Sequence, residues 1–231
     1  MAPPGGDGES RDALCAVPTA MPTERSSAIA ITSSLRQWSV GTLTLPVDVE
    51  PYGPGDSEYT AGQRLLCRVR VNLGSCFIDY VVVDGEFATA PFLHVAGKAG
   101  WPVVARLKDN LPELSQAAER RFRSRPPDLE FRDGTDRVQI WDADDFDPWE
   151  SLQWDTVRVI RYRQHHRNGD MVEASWLTNF SSRQISRRCL YSMAKSRWHI
   201  EKTKVSTMPR TAMDSSIFAT TTSAACSWYG C

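Results

Sequence analysis

The sequence predicts an α/β fold: a mixed sheet flanked by helices, with a β-rich segment inserted before the last helix. Three observations carry this expectation. The run Phe77-Ile78-Asp79-Tyr80-Val81-Val82-Val83 is apolar and β-branched, as a strand covered on both faces requires, and it stops at Asp84-Gly85. Helical patterns stand on either side of that strand. Between Arg123 and Glu173 the pattern changes to short strands separated by turn residues.

Taken in order, Thr42 to Val49 alternates well enough for a strand, and the turn residues from Pro51 to Gly55 end it. Residues 58 to 72 follow as an amphipathic helix. Ala61, Leu65, Leu66, Val69 and Leu73 fall at helical spacing, and Arg64, Arg68 and Arg70 lie largely outside that stripe. Beyond the strand that ends at Asp84, residues 86 to 96 carry helix formers and the apolar residues Phe87, Phe92 and Val95. Pro91 must sit in the first turn of that helix or kink it. A short strand from Pro102 to Leu107 and a helix from about Pro112 to Phe122 come next. The inserted segment, residues 123–172, holds strands at Leu129 to Arg132, Arg137 to Trp141 and Thr156 to Gln164. A last strand, Glu173 to Thr178, returns the chain to the core, and a helix is expected from Arg183 to Glu201.

Two carboxylates stand out in this layout. Asp84 lies at the carboxyl end of a buried strand, where open α/β sheets gather ligands and active sites. Aspartate is equally a preferred helix cap, so capping is the competing explanation. Glu201 lies in a helix whose surroundings are basic. Between Arg183 and Arg210 stand Arg183, Arg187, Arg188, Lys195, Arg197, Lys202, Lys204 and Arg210 against Glu201 alone. Such an excess suits a phosphate backbone, and a solvated basic face is the alternative.

Asp84-Gly85-Glu86-Phe87-Ala88-Thr89-Ala90-Pro91-Phe92-Leu93 and the later Arg197-Trp198-His199-Ile200-Glu201 resemble the DDE transposases of bacterial insertion sequences, the match falling in insertion-sequence family four. The resemblance runs from about Thr42 to Lys202. It also takes in residues 50 to 58, Ala105-Arg106-Leu107-Lys108-Asp109-Asn110 and Ile140-Trp141-Asp142. It implies a ribonuclease H-like core, with the β insertion between the second catalytic Asp and the catalytic Glu. Asp84 matches that Asp, Glu201 the Glu, and Arg197 the signature Arg. Two positions depart from the family pattern. Ala194 stands where the signature has Tyr, with Tyr191 one turn earlier, and no Lys follows Glu201 at the expected place.

The implied chemistry is cleavage and rejoining of DNA at element ends. Two divalent ions roughly 3.5 to 4 Å apart stabilise the attacking and leaving oxygens of an in-line phosphoryl displacement. Mg²⁺, with Mn²⁺ as a substitute, takes hard oxygen ligands, so Asp84 and Glu201 are the expected metal ligands as well as the catalytic residues. Arg197, Arg106 and Lys108 are the expected contacts to the DNA backbone. The implied partners are double-stranded DNA and a second copy of the chain, in the cytoplasm on the nucleoid. A third carboxylate is required and has no clear counterpart. Asp48 lies on a strand that follows the place of the family's first Asp, and Asp7 and Asp12 sit in a Gly-, Pro- and Ser-rich leader.

The resemblance also implies a reading-frame shift at both ends. Read from the third base of each codon, Met208-Pro209 encodes Ala and Met213-Asp214 encodes Gly, and the codons around them admit a family-like continuation that restores a Lys. Residues 27 to 41 admit family-like sequence in the same register. The expected organisation is a disordered or out-of-frame leader at 1–41, a catalytic core at 42–202 and a disordered or out-of-frame tail at 203–231. The copy is therefore expected to be degenerate and inactive. A DNA-binding remnant and a ribonuclease H-like nuclease outside transposition are the alternatives.

Composition excludes several other classes. At 231 residues and 41% hydrophobic, the chain can bury one good-sized core. Its net charge of −1 hides a segregation, because Asp142, Asp144, Asp145, Asp147, Glu150 and Asp155 offset the basic helix without lying in it. That acidic run lacks the glycine and the terminal glutamate of a calcium loop. The six cysteines show no paired two-residue spacing, which disfavours zinc. His165-His166 reads as a turn position beside Asn168-Gly169. No membrane span and no signal peptide are expected.

Overall fold

The structure is a computed structural model that describes residues 27–37, 41–108, 110–195 and 216–220; for 27–37, 41–46 and 216–220 it describes the backbone path alone. Strands β1 (Ser27–Gln37) and β2 (Gly41–Tyr52) form an antiparallel pair, followed by helix α1 (Glu58–Leu73). Strand β3 (Tyr80–Val83), helix α2 (Ala90–Lys98), strand β4 (Val103–Leu107) and helix α3 (Pro112–Arg123) continue the chain. Four more strands follow: β5 (Leu129–Asp133), β6 (Asp136–Phe146), β7 (Val157–His165) and β8 (Met171–Thr178). A helix, α4, occupies residues 187 to 195, and β9 (Ser216–Thr220) closes the described chain.

All nine strands belong to one mixed sheet in the order β2-β1-β9-β3-β4-β8-β7-β6-β5. The pair β3 and β4 is parallel, and β4, β8, β7, β6 and β5 alternate in direction. The chain is thus an α/β protein with a mixed sheet flanked by helices. The strands expected as an insertion extend the same sheet, continuous with β8. Strands β1 and β9 lie in the segments expected as leader and tail.

Alternation along the strands gives the sheet two apolar faces, as a period of two requires. On one face Val81, Val83, Val103, Ala105, Val157, Val159 and Leu177 pack with Leu65, Leu66 and Val69 of α1, Phe92 and Leu93 of α2, and Ala118 and Phe122 of α3. On the other face Val82, Val104, Val138, Ile140, Ile160, Tyr162 and Trp176 pack with Leu190, Tyr191 and Ala194 of α4. Strand β3 is buried on both sides, which is why Val81 to Val83 reads as a continuous apolar run rather than an alternating one.

Local signals fix the helix ends. The Ser57 hydroxyl accepts the Thr60 N–H at 3.1 Å and caps α1, and Glu58 in the first turn suits the positive end of the helix dipole. The buried stripe of α1 stops at Val69, since Leu73 is 43% exposed, one turn earlier than the spacing suggests. Arg64 and Arg68 lie off that stripe and reach β2. Arg64 bonds Glu50 at 2.7 Å and Asp56 at 2.5 Å, and Arg68 bonds Asp48 at 2.7 Å and also holds Glu50. The strand ending at Asp84 is shorter than expected, because Ser75–Phe77 forms a single 3-10 turn. The helix expected from residue 86 is likewise divided. Gly85–Phe87 makes one 3-10 turn, and α2 begins at Ala90 with Pro91 in its first turn, where the missing N–H costs nothing.

Candidate functional site

Asp84 follows β3 directly, at the carboxyl end of the parallel β3–β4 pair. Its Oδ1 accepts the Gly85 N–H at 2.7 Å, so it caps the 3-10 turn that follows, as the competing sequence explanation has it. It also faces a cation. The Lys108 ammonium, just past the end of β4, donates to the Asp84 carboxylate at 2.8 Å. The backbone is crowded here. A Cβ at Gly85 would meet the Arg106 carbonyl oxygen at 2.8 Å and the Lys108 side chain at 3.0 Å, so only glycine lets the two strand ends approach this closely. Asn110 completes the corner by donating from Nδ2 to the Gly85 carbonyl at 2.6 Å.

Of the expected phosphate contacts, Lys108 is engaged with Asp84, and Arg106 lies over the Trp176 ring with its guanidinium carbon 5.8 Å from the centroid. Arg106 shares its face of β4 with Val104, which belongs to the α4 side of the sheet. Arg197 and Glu201 lie outside the described residues.

The helix leading towards them is fixed firmly. Arg187 donates to Asp142 at 2.9 Å, the Tyr191 hydroxyl donates to Asp133 at 2.8 Å, and Lys195 also pairs with Asp133. These residues are spaced four apart on one side of the helix, beside the buried Leu190 and Ala194. Lys195 holds the Asp133 carboxyl below its usual range, despite the opposing effect of partial burial. Partner positions set the direction of the helix. Arg187 meets Asp142, which the strand register puts level with Arg106 near the carboxyl end of β4, and Lys195 meets Asp133 at the β5–β6 hairpin end. So α4 starts level with Asp84 and runs on past the end of β4. Ala194 is fully enclosed, and the Tyr191 ring one turn earlier has Phe131 and Tyr162 edge-on at 5.4 and 5.1 Å.

The remaining acidic candidates are accounted for by structure. Asp48 is held by Arg68, and Asp7 and Asp12 lie outside the described residues. The acidic run is dispersed: Asp142 is buried against Arg158, Asp144 accepts from Ser182, and Asp145 pairs with Arg121 at 2.7 Å. His166 does find an acidic partner, Asp136, at 2.8 Å. Sequence reasoning missed Lys108 as the partner of Asp84 and Arg158 as a buried charge. The parallel register Val83↔Ala105 brings residues 84 and 108 together, and no local pattern announces that pairing.

These donors were tested against the Mg²⁺ that the resemblance implies. Among the described residues no three His, Cys, Asp or Glu side chains gather at one point. At Asp84 the neighbouring charge is an ammonium, and the two strands flanking β3 read Val103-Val104-Ala105-Arg106-Leu107 and Ser216-Ile217-Phe218-Ala219-Thr220, without a carboxylate. Of the two expected ligands the described residues supply Asp84 alone, since Glu201 lies outside them. Lys108→Met is expected to strengthen Mn²⁺ binding at Asp84 by up to about fivefold, the equivalent of one exposed ion pair of about 1 kcal/mol. Free Mn²⁺ followed by electron paramagnetic resonance measures this, and an unchanged binding curve would show that Lys108 does not compete. Among the described residues no helix is long and apolar enough to cross a membrane. No protein-family model matches the chain, and no curated protein matches its sequence.

Proposed function

We propose that the chain is a DNA-binding protein descended from DDE transposases, on a ribonuclease H-like core carrying a β-rich insertion, and that this copy does not cut DNA. One observation carries the second half of the reading. Asp84, the carboxylate that matches a catalytic residue of the family, is paired with Lys108 at 2.8 Å and flanked by strands that bring no second carboxylate. The first half is supported by the place of Asp84 at the carboxyl end of the parallel pair, and by α4, which covers the sheet face that holds Val82 and Val104 and whose sequence continues to Arg197 and Glu201.

In this reading the protein supplies cations rather than chemistry. Arg106, Lys108 and Arg197 meet phosphates, and binding weakens steeply with salt as counterions are no longer released to advantage. The test is a supercoiled plasmid incubated with the protein in Mg²⁺ or Mn²⁺, beside a duplex-binding measurement. Retardation of duplex DNA with no nicking is the expected result. Nicking that disappears in Asp84→Ala and in Glu201→Ala would overturn the non-cutting reading and restore a working transposase centre. Nicking that survives in both would point to a different nuclease site.

A further inference from the structure

We propose that a cationic cleft at the hairpin end of β5 to β8 is a second binding site for the phosphate backbone of DNA, which extends the surface around Asp84. The inference rests on the reading of the chain as a DNA binder and adds residues to it. The cleft, of about 560 Å³, is lined by Glu130, Phe131, Arg132, Thr135 and Arg137 of the β5–β6 hairpin and by His165, His166 and Arg167.

Strand register shows why these cations need an outside partner. Arg132 on β5 stands directly opposite Arg137 on β6, and Arg137 stands directly opposite His165 on β7. Like charges placed opposite one another across strands destabilise a sheet, so the Arg132–Arg137 pair calls for compensation, while His165 bonds Gln139 at 3.3 Å. Only part of it is internal. Glu130 takes Arg137 in a two-pronged pair with both contacts at 2.8 Å. The other carboxylates of this end are committed elsewhere. Asp133 accepts from Tyr191 and Lys195, Asp136 from Gln164 and His166, Asp170 from Asn168, and Glu173 from Arg163. Arg132 and Arg167, both exposed, have no carboxylate among the described residues. Two planar forks of donors remain directed at solvent, Arg132 from β5 and Arg167 from the β7–β8 turn, and phosphate oxygens fit such forks.

Position on the sheet identifies the source of that phosphate. Strand β7 runs parallel to β4, because each pairs antiparallel with β8, so the carboxyl ends of β3, β4 and β7 all lie at one end of the sheet. The cleft therefore lies towards the Asp84 end of the sheet and projects beyond it, since His165 is five residues past Ile160, which is level with Arg106. From β3 across β4, β8 and β7 to β6 are four strand spacings, and with the rise of those five residues the separation is roughly 25 Å. That separation spans about seven base pairs of a duplex, whose phosphates repeat at about 3.4 Å along each strand. A duplex laid obliquely across this end meets Lys108 and Arg106 near one end and Arg132 and Arg167 near the other.

The test uses the full chain and a fluorescein-labelled 30-base-pair duplex of arbitrary sequence, with anisotropy recorded from about 50 to 200 mM NaCl. Arg132→Gln combined with Arg167→Gln is expected to weaken binding about tenfold at the low salt and to reduce the slope of log K against log salt by about two, one unit per lost phosphate contact. The lysine pair, Arg132→Lys with Arg167→Lys, keeps the slope. Both side chains are exposed and without carboxylate partners, so the fold is expected to tolerate the changes, and an unaltered circular dichroism melt confirms this. Equal affinity and slope in the glutamine double variant would overturn the proposal while leaving the DNA-binding reading intact. Displacement of the duplex by poly-glutamate as readily as by inorganic pyrophosphate would overturn the assignment to phosphate. Failure of the unaltered chain to bind duplex at all would sink this site and the DNA-binding reading together. Nicking of a plasmid would bear on the non-cutting reading alone.

Discussion

Asp142→Ala is expected to lower the unfolding free energy by about 3–5 kcal/mol, the cost of leaving a buried charge without its partner. The Asp142 side chain is 3% exposed and the Arg158 side chain 2%. Arg158 reaches Asp142 through Nε at 2.8 Å and Nη2 at 2.9 Å, and Arg187 adds a third bond at 2.9 Å. The remaining Arg158 donor is spent on the Ser181 and Ile185 carbonyls, at 3.1 and 3.0 Å, in the segment that leads into α4. Alanine removes the only carboxylate that Arg158 meets among the described residues and leaves the guanidinium buried. Urea denaturation measures the effect as a lower midpoint at unchanged slope. The second variant is the more discriminating one. Adding Arg158→Met to Asp142→Ala removes the orphaned charge and is expected to recover much of the loss, since apolar replacement of a whole buried pair is often neutral. A single variant within 1 kcal/mol of the parent would show that the pair does not hold the two segments together.

Tyr191→Ala is expected to cost about 3–5 kcal/mol, as removal of a large buried aromatic does. The ring is 2% exposed, lies edge-on to Phe131 and Tyr162, and is the main apolar anchor of α4 to the sheet. Tyr191→Phe keeps the ring and loses only the hydroxyl's shared bond to Asp133 at 2.8 Å and Gln164 at 3.3 Å, so its cost is expected near 1 kcal/mol. The pair of variants separates packing from hydrogen bonding, and equal costs would contradict the division. Alkali provides a third reading. Burial, and then the neighbouring Asp133 carboxylate, hold the Tyr191 hydroxyl proton well above its ordinary value of 10.0, and burial raises Tyr162 in the same direction. A raised value means that the folded state binds the proton more tightly than the unfolded one. The contribution is complete below pH 10 and is lost as the pH rises above it. Tyr191→Phe is expected to flatten part of that alkaline decline in a stability-against-pH series.

The elements most legible in the sequence were those whose signals are local. The stripe Ala61, Leu65, Leu66, Val69 and the Ser57 cap specify α1 within a residue or two of its observed ends. The turns after Asp133 and His165 separate the β5–β6 and β7–β8 hairpins, because short antiparallel connections leave turn residues between strands. Long-range pairing was not legible. Nothing in Ser216 to Thr220 marks a strand that enters the middle of the sheet, and nothing near Asp84 points to Lys108, since parallel register is set by side-chain packing across a crossover rather than by a turn. Buried ion pairs were hidden for the same reason. Asp142 reads as one member of a solvated acidic run until β7 brings Arg158 against it, and Arg187 reads as part of a basic face until α4 sets it on the same carboxylate. Among the named site residues, position was the legible part and partnership was not. Asp84 stands where the sequence puts it, at a strand end, but its neighbour is a cation.

The location of β9 governs the order in which the chain can assemble. β1 and β2 reach the rest of the sheet through β9 alone among the described strands, since β9 pairs with β1 on one side and β3 on the other. Those pairings join residues far apart in sequence, and closing so long a loop is an entropic cost met before any contact rewards it. The segment from α1 to α4 supplies both apolar faces of the core and can collapse without β9, whereas β1 pairs with the rest of the sheet only once β9 has entered. Until then the edge of β3 is a row of unpaired amides and carbonyls, open to a strand from another molecule. Association of chains through that edge is the kinetic consequence of an interior strand supplied from far along the sequence.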